Sequence, residues 1–313
     1  MTEAICSAAR GSASTLGTTP VNLGPVTTET RSQSGAARVW QAVRVRSPSF
    51  GVVDPPHATG AARIRLGWEV ALVLAVSVGQ SALYSVLSLI RSLQRALTED
   101  VALGEQQTQL NPSRDVQAFW DALYQFLSIC FGLATVALVV YLLWEPGTNA
   151  LRRMGLDFRR FGGDAGRGVL LVAVIGIPGL ALYALGRLAG VTLQVSASPL
   201  DAAWYTVPLL VLAALRAGLT EEVIFLGYLF DRLRRLGWGW WTIILATAGL
   251  RAAYHAYQGF GSIVGNFAMG IVFGWCYRRW GRVLPLVIAH TLIDIIAFVG
   301  YPLAVAWFPA VFA

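Results

Sequence analysis

Seven apolar stretches, near residues 66–90, 119–144, 168–190, 203–230, 239–257, 262–279 and 283–299, come close to the roughly 20 residues that a helix needs to cross the hydrocarbon core of a bilayer. In lipid each backbone N–H and C=O must be satisfied within its own segment, so stretches of this kind are expected as helices. Composition agrees: 56% of the 313 residues are hydrophobic, 13% are charged and the mean hydropathy is +0.58, which leaves too little polar surface for a soluble globule of this size. The expected fold is all-α, a polytopic membrane bundle of about seven to eight helices. A last apolar piece, 301–313, follows the Gly300-Tyr301-Pro302 break; it is too short to span and is expected as a half-helix at the outer face. No internal repeat is evident, which argues against a transporter built from inverted halves.

Residues 1–62 are rich in Ser, Thr, Gly, Ala and Pro with no periodic apolar pattern, a composition that cannot bury a core and is expected as a disordered tail. The tail lacks the apolar run and small-residue cleavage site of a signal peptide. After it, 63–200 is expected to hold three membrane helices with their loops, and 201–313 a catalytic membrane core. All 24 basic residues are Arg, and their placement orients the chain. Seven lie before the first span (Arg10, Arg31, Arg38, Arg44, Arg46, Arg63, Arg65), five in the second loop (Arg152, Arg153, Arg159, Arg160, Arg167), three in the fourth (Arg232, Arg234, Arg235) and three in the sixth (Arg278, Arg279, Arg282). The opposite side holds only Arg91, Arg95, Arg114 and Arg187, so the N-terminus is expected to be cytoplasmic and the protein a multi-pass protein of the cell membrane. Because the net charge of +7 sits in loops between spans rather than on a soluble face with exposed aromatics, a nucleic-acid partner is not indicated. Cys6, Cys130 and Cys276 are far apart and show neither a disulfide framework nor a CxxC metal site.

An unpaired charge in mid-bilayer costs roughly 2.5 to 3.5 kcal/mol on insertion scales, so ionisable groups inside spans mark function by default. From the fourth span on these are Arg216, Glu221, Glu222, Arg251, His255, His290 and Asp294, whereas the first three spans carry only Glu69 and Asp121 near their ends. The buried ionisable chemistry is therefore expected in the last four spans. Residues four apart share a helix face, which sets Arg251 beside His255 and His290 beside Asp294. Glu221 and Glu222 point about 100° apart, so only one is expected to face a given centre.

A Glu-Glu pair on one membrane helix, a His near the end of the next and His-x-x-x-Asp on a later one resemble the CPBP family of intramembrane endopeptidases, the CAAX-protease and bacteriocin-processing type. The resemblance covers about residues 203–300. The family's Glu-Glu-x-x-x-Arg falls on Glu221, Glu222 and Leu226, so its Arg is missing; Phe-x-x-x-His falls on Arg251 and His255, so its Phe is replaced by Arg; His-x-x-x-Asn/Asp falls on His290 and Asp294. An arginine lost at 226 and gained at 251 reads as an exchange of position, and a buried pair between Glu222 and Arg251 is expected from it.

What the resemblance implies is peptide hydrolysis in a membrane-associated substrate, with the lipid bilayer and a peptide or protein as partners. Glu221, with His255, would bind and deprotonate water, and His290 would donate to the oxyanion, a contact typically worth roughly 2.7 to 4 kcal/mol. Asp294 can donate only when protonated and is more at home orienting His290 or as a metal ligand. No cofactor is favoured, since no helix carries His-x-x-x-His, yet Glu221, His255, His290 and Asp294 could complete a Zn site. The competing classes are a Zn-dependent protease, a transporter or proton relay, and a non-catalytic scaffold. Convergence of Glu221, His255 and His290 on one cavity would favour hydrolysis. Tyr254, Gln258 and Asn266 flank His255 and are either site-lining or partners of a broken helix around Gly259-Phe260-Gly261.

Overall fold

A computed structural model describes residues 55–197 and 204–303. The expected disordered tail lies outside the described residues through 54, as do the boundary at 200 and most of the apolar piece after 301. The first helix already begins at Gly60, so 60–62 belong to it.

The molecule is helical throughout its membrane part, as the apolar spans require. Helix α1 (Gly60–Leu74) runs through a π-turn at Ala75–Gly79 into α2 (Gln80–Thr98). Next come α3 (Ala118–Leu142), the short α4 (Ala150–Arg153) and α5 (Phe161–Leu188). Helix α6 (Thr206–Glu222) passes through a second π-turn, Val223–Tyr228, into α7 (Leu229–Arg235), and α8 (Trp240–Tyr254), α9 (Phe260–Trp280) and α10 (Leu284–Ile295) complete the bundle. Two short strands that the composition does not announce, β1 (Gln107–Leu110) and β2 (Gln194–Ala197), pair in parallel with Gln107 opposite Gln194.

Among the described residues, five helices are long and apolar enough to cross a membrane: Gly60–Thr98, Ala118–Leu142, Phe158–Leu188, Phe260–Trp280 and Leu284–Leu303. Two of the seven expected spans differ from that count for physical reasons. The fourth is long, since α6, the π-turn and α7 form one rod, but it carries Arg216, Glu221 and Glu222. The fifth stops after 15 residues, about 22 Å at 1.5 Å per residue. Beyond it the chain turns at Gly259, whose φ of +97° lies in the left-handed region that favours glycine; a Cβ there would stand 3.1 Å from Thr192 Cα and Val191 O.

Every residue from Glu221 to Phe230 is buried, so this part of the α6–α7 rod is surrounded by protein, as a helix apolar on all sides must be. The outer faces of α3 and α5 instead expose Phe131, Tyr141, Ile177 and Leu180, apolar surface that a bilayer solvates. Helix α10 approaches α6 closely at Gly218, where a Cβ would lie 2.6 Å from Thr291 Oγ1 and 3.2 Å from Val287 O. That contact brings the helix bearing His290 against the one bearing the glutamates.

Charged networks tie the helix ends. Arg232 Nε donates to Glu69 Oε1 at 2.8 Å and Tyr228 OH to the same oxygen at 3.0 Å, joining α1 to the rod. Arg153 and Arg235 both bond Asp231, at 2.9 Å each. One expectation is corrected: buried ionisable chemistry is not confined to the last four spans. Asp164 on α5 is fully buried, and Arg282 Nε donates to both its oxygens at 3.0 and 2.8 Å.

Candidate active site

The site forms where α6 ends and widens into its π-turn, a distortion that often accompanies function. Glu221 and Glu222 are buried to 2% and 0% exposure. Arg251 enters from α8 and spans both: Nη1 donates to Glu221 Oε2 at 3.1 Å and Nη2 to Glu222 Oε1 at 2.6 Å. The expected buried pair of Glu222 and Arg251 is thus present. Its guanidinium lies over the Phe225 and Phe273 rings at 5.2 and 5.6 Å, so aromatic faces as well as carboxylates compensate its charge. The expectation that only one glutamate faces the centre is corrected, because a forked guanidinium reaches two carboxylates set about 100° apart on the helix.

His290, on α10, places Nδ1 2.6 Å from Glu222 Oε1. Its Nε2 lies 3.8 Å from Glu221 Oε2 and 3.6 Å from Asp294 Oδ2, both beyond hydrogen-bond range. Glu222, not Asp294, is therefore the carboxylate that bonds and orients His290. His255 is the residue that ends α8, and its Nε2 lies 3.9 Å from Glu221 Oε2. Neither of its ring nitrogens, nor Glu222 Oε2, has a hydrogen-bond partner among the described residues.

Tyr254 is the residue whose contact the sequence left open. Its hydroxyl donates to Glu221 Oε1, and its ring packs 4.3 Å from that of His255. The only hint was its place beside His255. Gln258 and Asn266 are used locally instead: Gln258 Nε2 donates to Tyr257 OH at 2.8 Å in the turn, and Asn266 Nδ2 to Ser262 O at 3.0 Å within α9. A cavity of about 470 Å³, lined by Ser85, Arg114, Gln125, Arg216, Tyr254 and Tyr257 among others, reaches the Tyr254 side of the cluster.

Residues 203–296 match the family model of the type II CAAX prenyl endopeptidase Rce1-like domain. The segment is similar to an Rce1-like domain. It covers under a third of the chain. No curated protein and no solved structure matches the chain. Glu221, Glu222, Arg251, Tyr254, His255, His290 and Asp294 all lie within the matched segment, whose family description is that of an endopeptidase, and the apolar helices around it make the chain an integral membrane protein.

For a metal, the tightest donor set among the described residues is Glu221, Glu222 and His290, whose ligand atoms lie within 4.8 Å of one another. This differs from the set expected from sequence, since Glu222 replaces His255 and Asp294. The fit is poor: Arg251 already donates to Glu221 Oε2 and Glu222 Oε1, so a dication on those oxygens would sit beside a permanent cation.

Proposed function

We propose that the protein is an intramembrane endopeptidase that hydrolyses a peptide bond of a membrane-associated substrate with water activated by Glu221. The observation that carries this reading is the convergence of two imidazole Nε2 atoms on Glu221 Oε2, from His255 at 3.9 Å and His290 at 3.8 Å, next to a polar cavity. Neither is a direct hydrogen bond, and a polar pair at that separation suits a shared water. Tyr254 and Arg251 hold the two oxygens of Glu221 in place, while His255 and the carboxylate bind the water between them.

In the reaction Glu221 takes one proton from water, and the resulting hydroxide attacks the carbonyl carbon. The oxyanion accepts from His290 Nε2, and Glu221 returns the proton to the departing amine, so peptide plus water gives acid plus amine. With Nδ1 bonded to Glu222, His290 can donate through Nε2 only when both ring nitrogens carry protons, and Glu222 is the counter-charge for that cation. This step needs no metal, and Arg251 between the two carboxylates favours the metal-free version. Transport is the less favoured reading, because both histidines converge on one carboxylate oxygen, Glu221 Oε2, rather than forming a path. The arginine-rich loops support a cytoplasmic N-terminus in the cell membrane.

The test is purified full-length protein in nanodiscs with a quenched peptide library, with and without chelator. Hydrolysis insensitive to chelation is expected. Loss on chelation restored by Zn would move the mechanism to a metal, and no hydrolysis of any library member would sink the endopeptidase reading.

A further inference from the structure

Arg216 differs from three other interior arginines. Arg232, Arg251 and Arg282 each hold at least two carboxylates. Arg216, on α6, has no carboxylate partner among the described residues, and its Nε is buried without a hydrogen bond there. A cation inside a membrane helix without a counter-charge is costly, and such residues mark substrate or ion paths. The local structure is shaped around it. Its stem crosses α3 at Gly132, where a Cβ would stand 2.5 Å from Arg216 Cδ and 3.1 Å from Cγ. Any side chain at 132 would block that course.

Arg216 lines the cavity together with Arg114 and several serines, and no lining residue is acidic. Arg114 donates from Nη2 to Ser128 Oγ at 3.1 Å, and its backbone N–H donates to Asp121 Oδ1 at 2.6 Å. The same cavity is walled by Tyr254, whose hydroxyl holds Glu221. Arg216 precedes Glu221 by five residues, about 7.5 Å along the helix axis. An extended peptide covers that offset in about two residues or more.

We propose that Arg216 is a specificity residue that binds a carboxylate of the peptide substrate, either the C-terminal carboxylate or an Asp or Glu side chain, two or more residues from the bond that faces Glu221. The inference rests on the endopeptidase reading and narrows its substrate class to peptides carrying an anion at that offset. A free carboxylate supplies the bidentate partner that the guanidinium lacks, in a cavity whose serine hydroxyls solvate the pair.

The experiment uses full-length protein in phosphatidylcholine nanodiscs and one degenerate quenched-peptide library made in three forms: free acid, C-terminal amide, and amide with one fixed Glu. In wild type the free acid is expected to exceed the amide in kcat/KM by about tenfold or more, the size of a charge-assisted hydrogen bond, and mainly through KM. Recovery of the preference in the Glu-amide form assigns the carboxylate to a side chain; its failure there assigns it to the C-terminus. Arg216→Gln should bring the acid-to-amide ratio to about one, with Arg216→Lys between. An unchanged ratio in Arg216→Gln, or no preference in wild type, overturns the proposal. So does an Arg216-dependent thermal shift in phosphatidylglycerol nanodiscs without peptide discrimination, which would make the anion a lipid headgroup. Binding of the three forms to Glu221→Gln, read by anisotropy, separates the two claims. Carboxylate-dependent binding without wild-type turnover keeps Arg216 and removes the endopeptidase reading, whereas turnover without preference does the reverse.

Discussion

Two of the buried arginines that hold two carboxylates, Arg282 and Arg251, make different structures. Arg282 bonds Asp164 through Nε and Nη2, and Asp157 through Nη1 and Nη2, with a further bond from Nη2 to Asp157 O at 2.8 Å. Its donors are used, and the result fastens α5 and the loop before it to the turn that leads into α10. Partial burial works against the ionised form of Asp157, but the hydrogen bonds from Arg282 and from the Arg159 N–H hold its carboxyl below the ordinary range. Around Arg251 the carboxylates instead face two histidines, a tyrosine and Asp294. Glu222 Oε2 and both nitrogens of His255 have no hydrogen-bond partner among the described residues. A saturated cluster is a fastening; one with polar atoms in reserve is built to take something else.

The largest expected difference between the two comes from removing each arginine. Breaking a buried pair from one side typically costs about 3 to 5 kcal/mol, so Arg251→Ala and Arg282→Ala should both lower the unfolding midpoint. Only Arg251→Ala should also abolish turnover in the protein that remains folded. Equal specific activity in the two variants would erase the distinction. A smaller effect is expected from moving the cation. Leu226→Arg combined with Arg251→Phe restores the family arrangement one turn from Glu222, and it should recover part of the stability and activity lost in Arg251→Ala; no recovery would show that position 251 acts through more than its charge. Smaller still is Asp294→Asn. Glu222, at 2.6 Å, orients His290, so the amide should keep kcat/KM within about tenfold of wild type. A loss beyond that would give Asp294 the orienting role.

The same contrast shows what the sequence could disclose. The glutamates, both histidines and Arg251 were legible because a charge inside an apolar run is conspicuous, and the Glu222–Arg251 pair followed from one cation missing at 226 and one gained at 251. Asp164 was not legible, because it sits four residues before the apolar count of the third span begins, where an acid looks like loop. The bond of His290 to Glu222 joins residues 68 apart, and Tyr254 to Glu221 joins residues 33 apart. Local periodicity carries no information about such partners. The π-turns at Ala75–Gly79 and Val223–Tyr228 leave no compositional trace either, and the sheet depends on a register between strands 87 residues apart.

The most direct test of the central claim is steady-state turnover of purified Glu221→Gln beside Asp164→Asn, with thermal unfolding of both. Glu221→Gln keeps the shape of the side chain and removes the base, so hydrolysis is expected to vanish with little change in midpoint, while Asp164→Asn loses stability and keeps activity per folded molecule. Wild-type turnover in Glu221→Gln would contradict a glutamate-activated water.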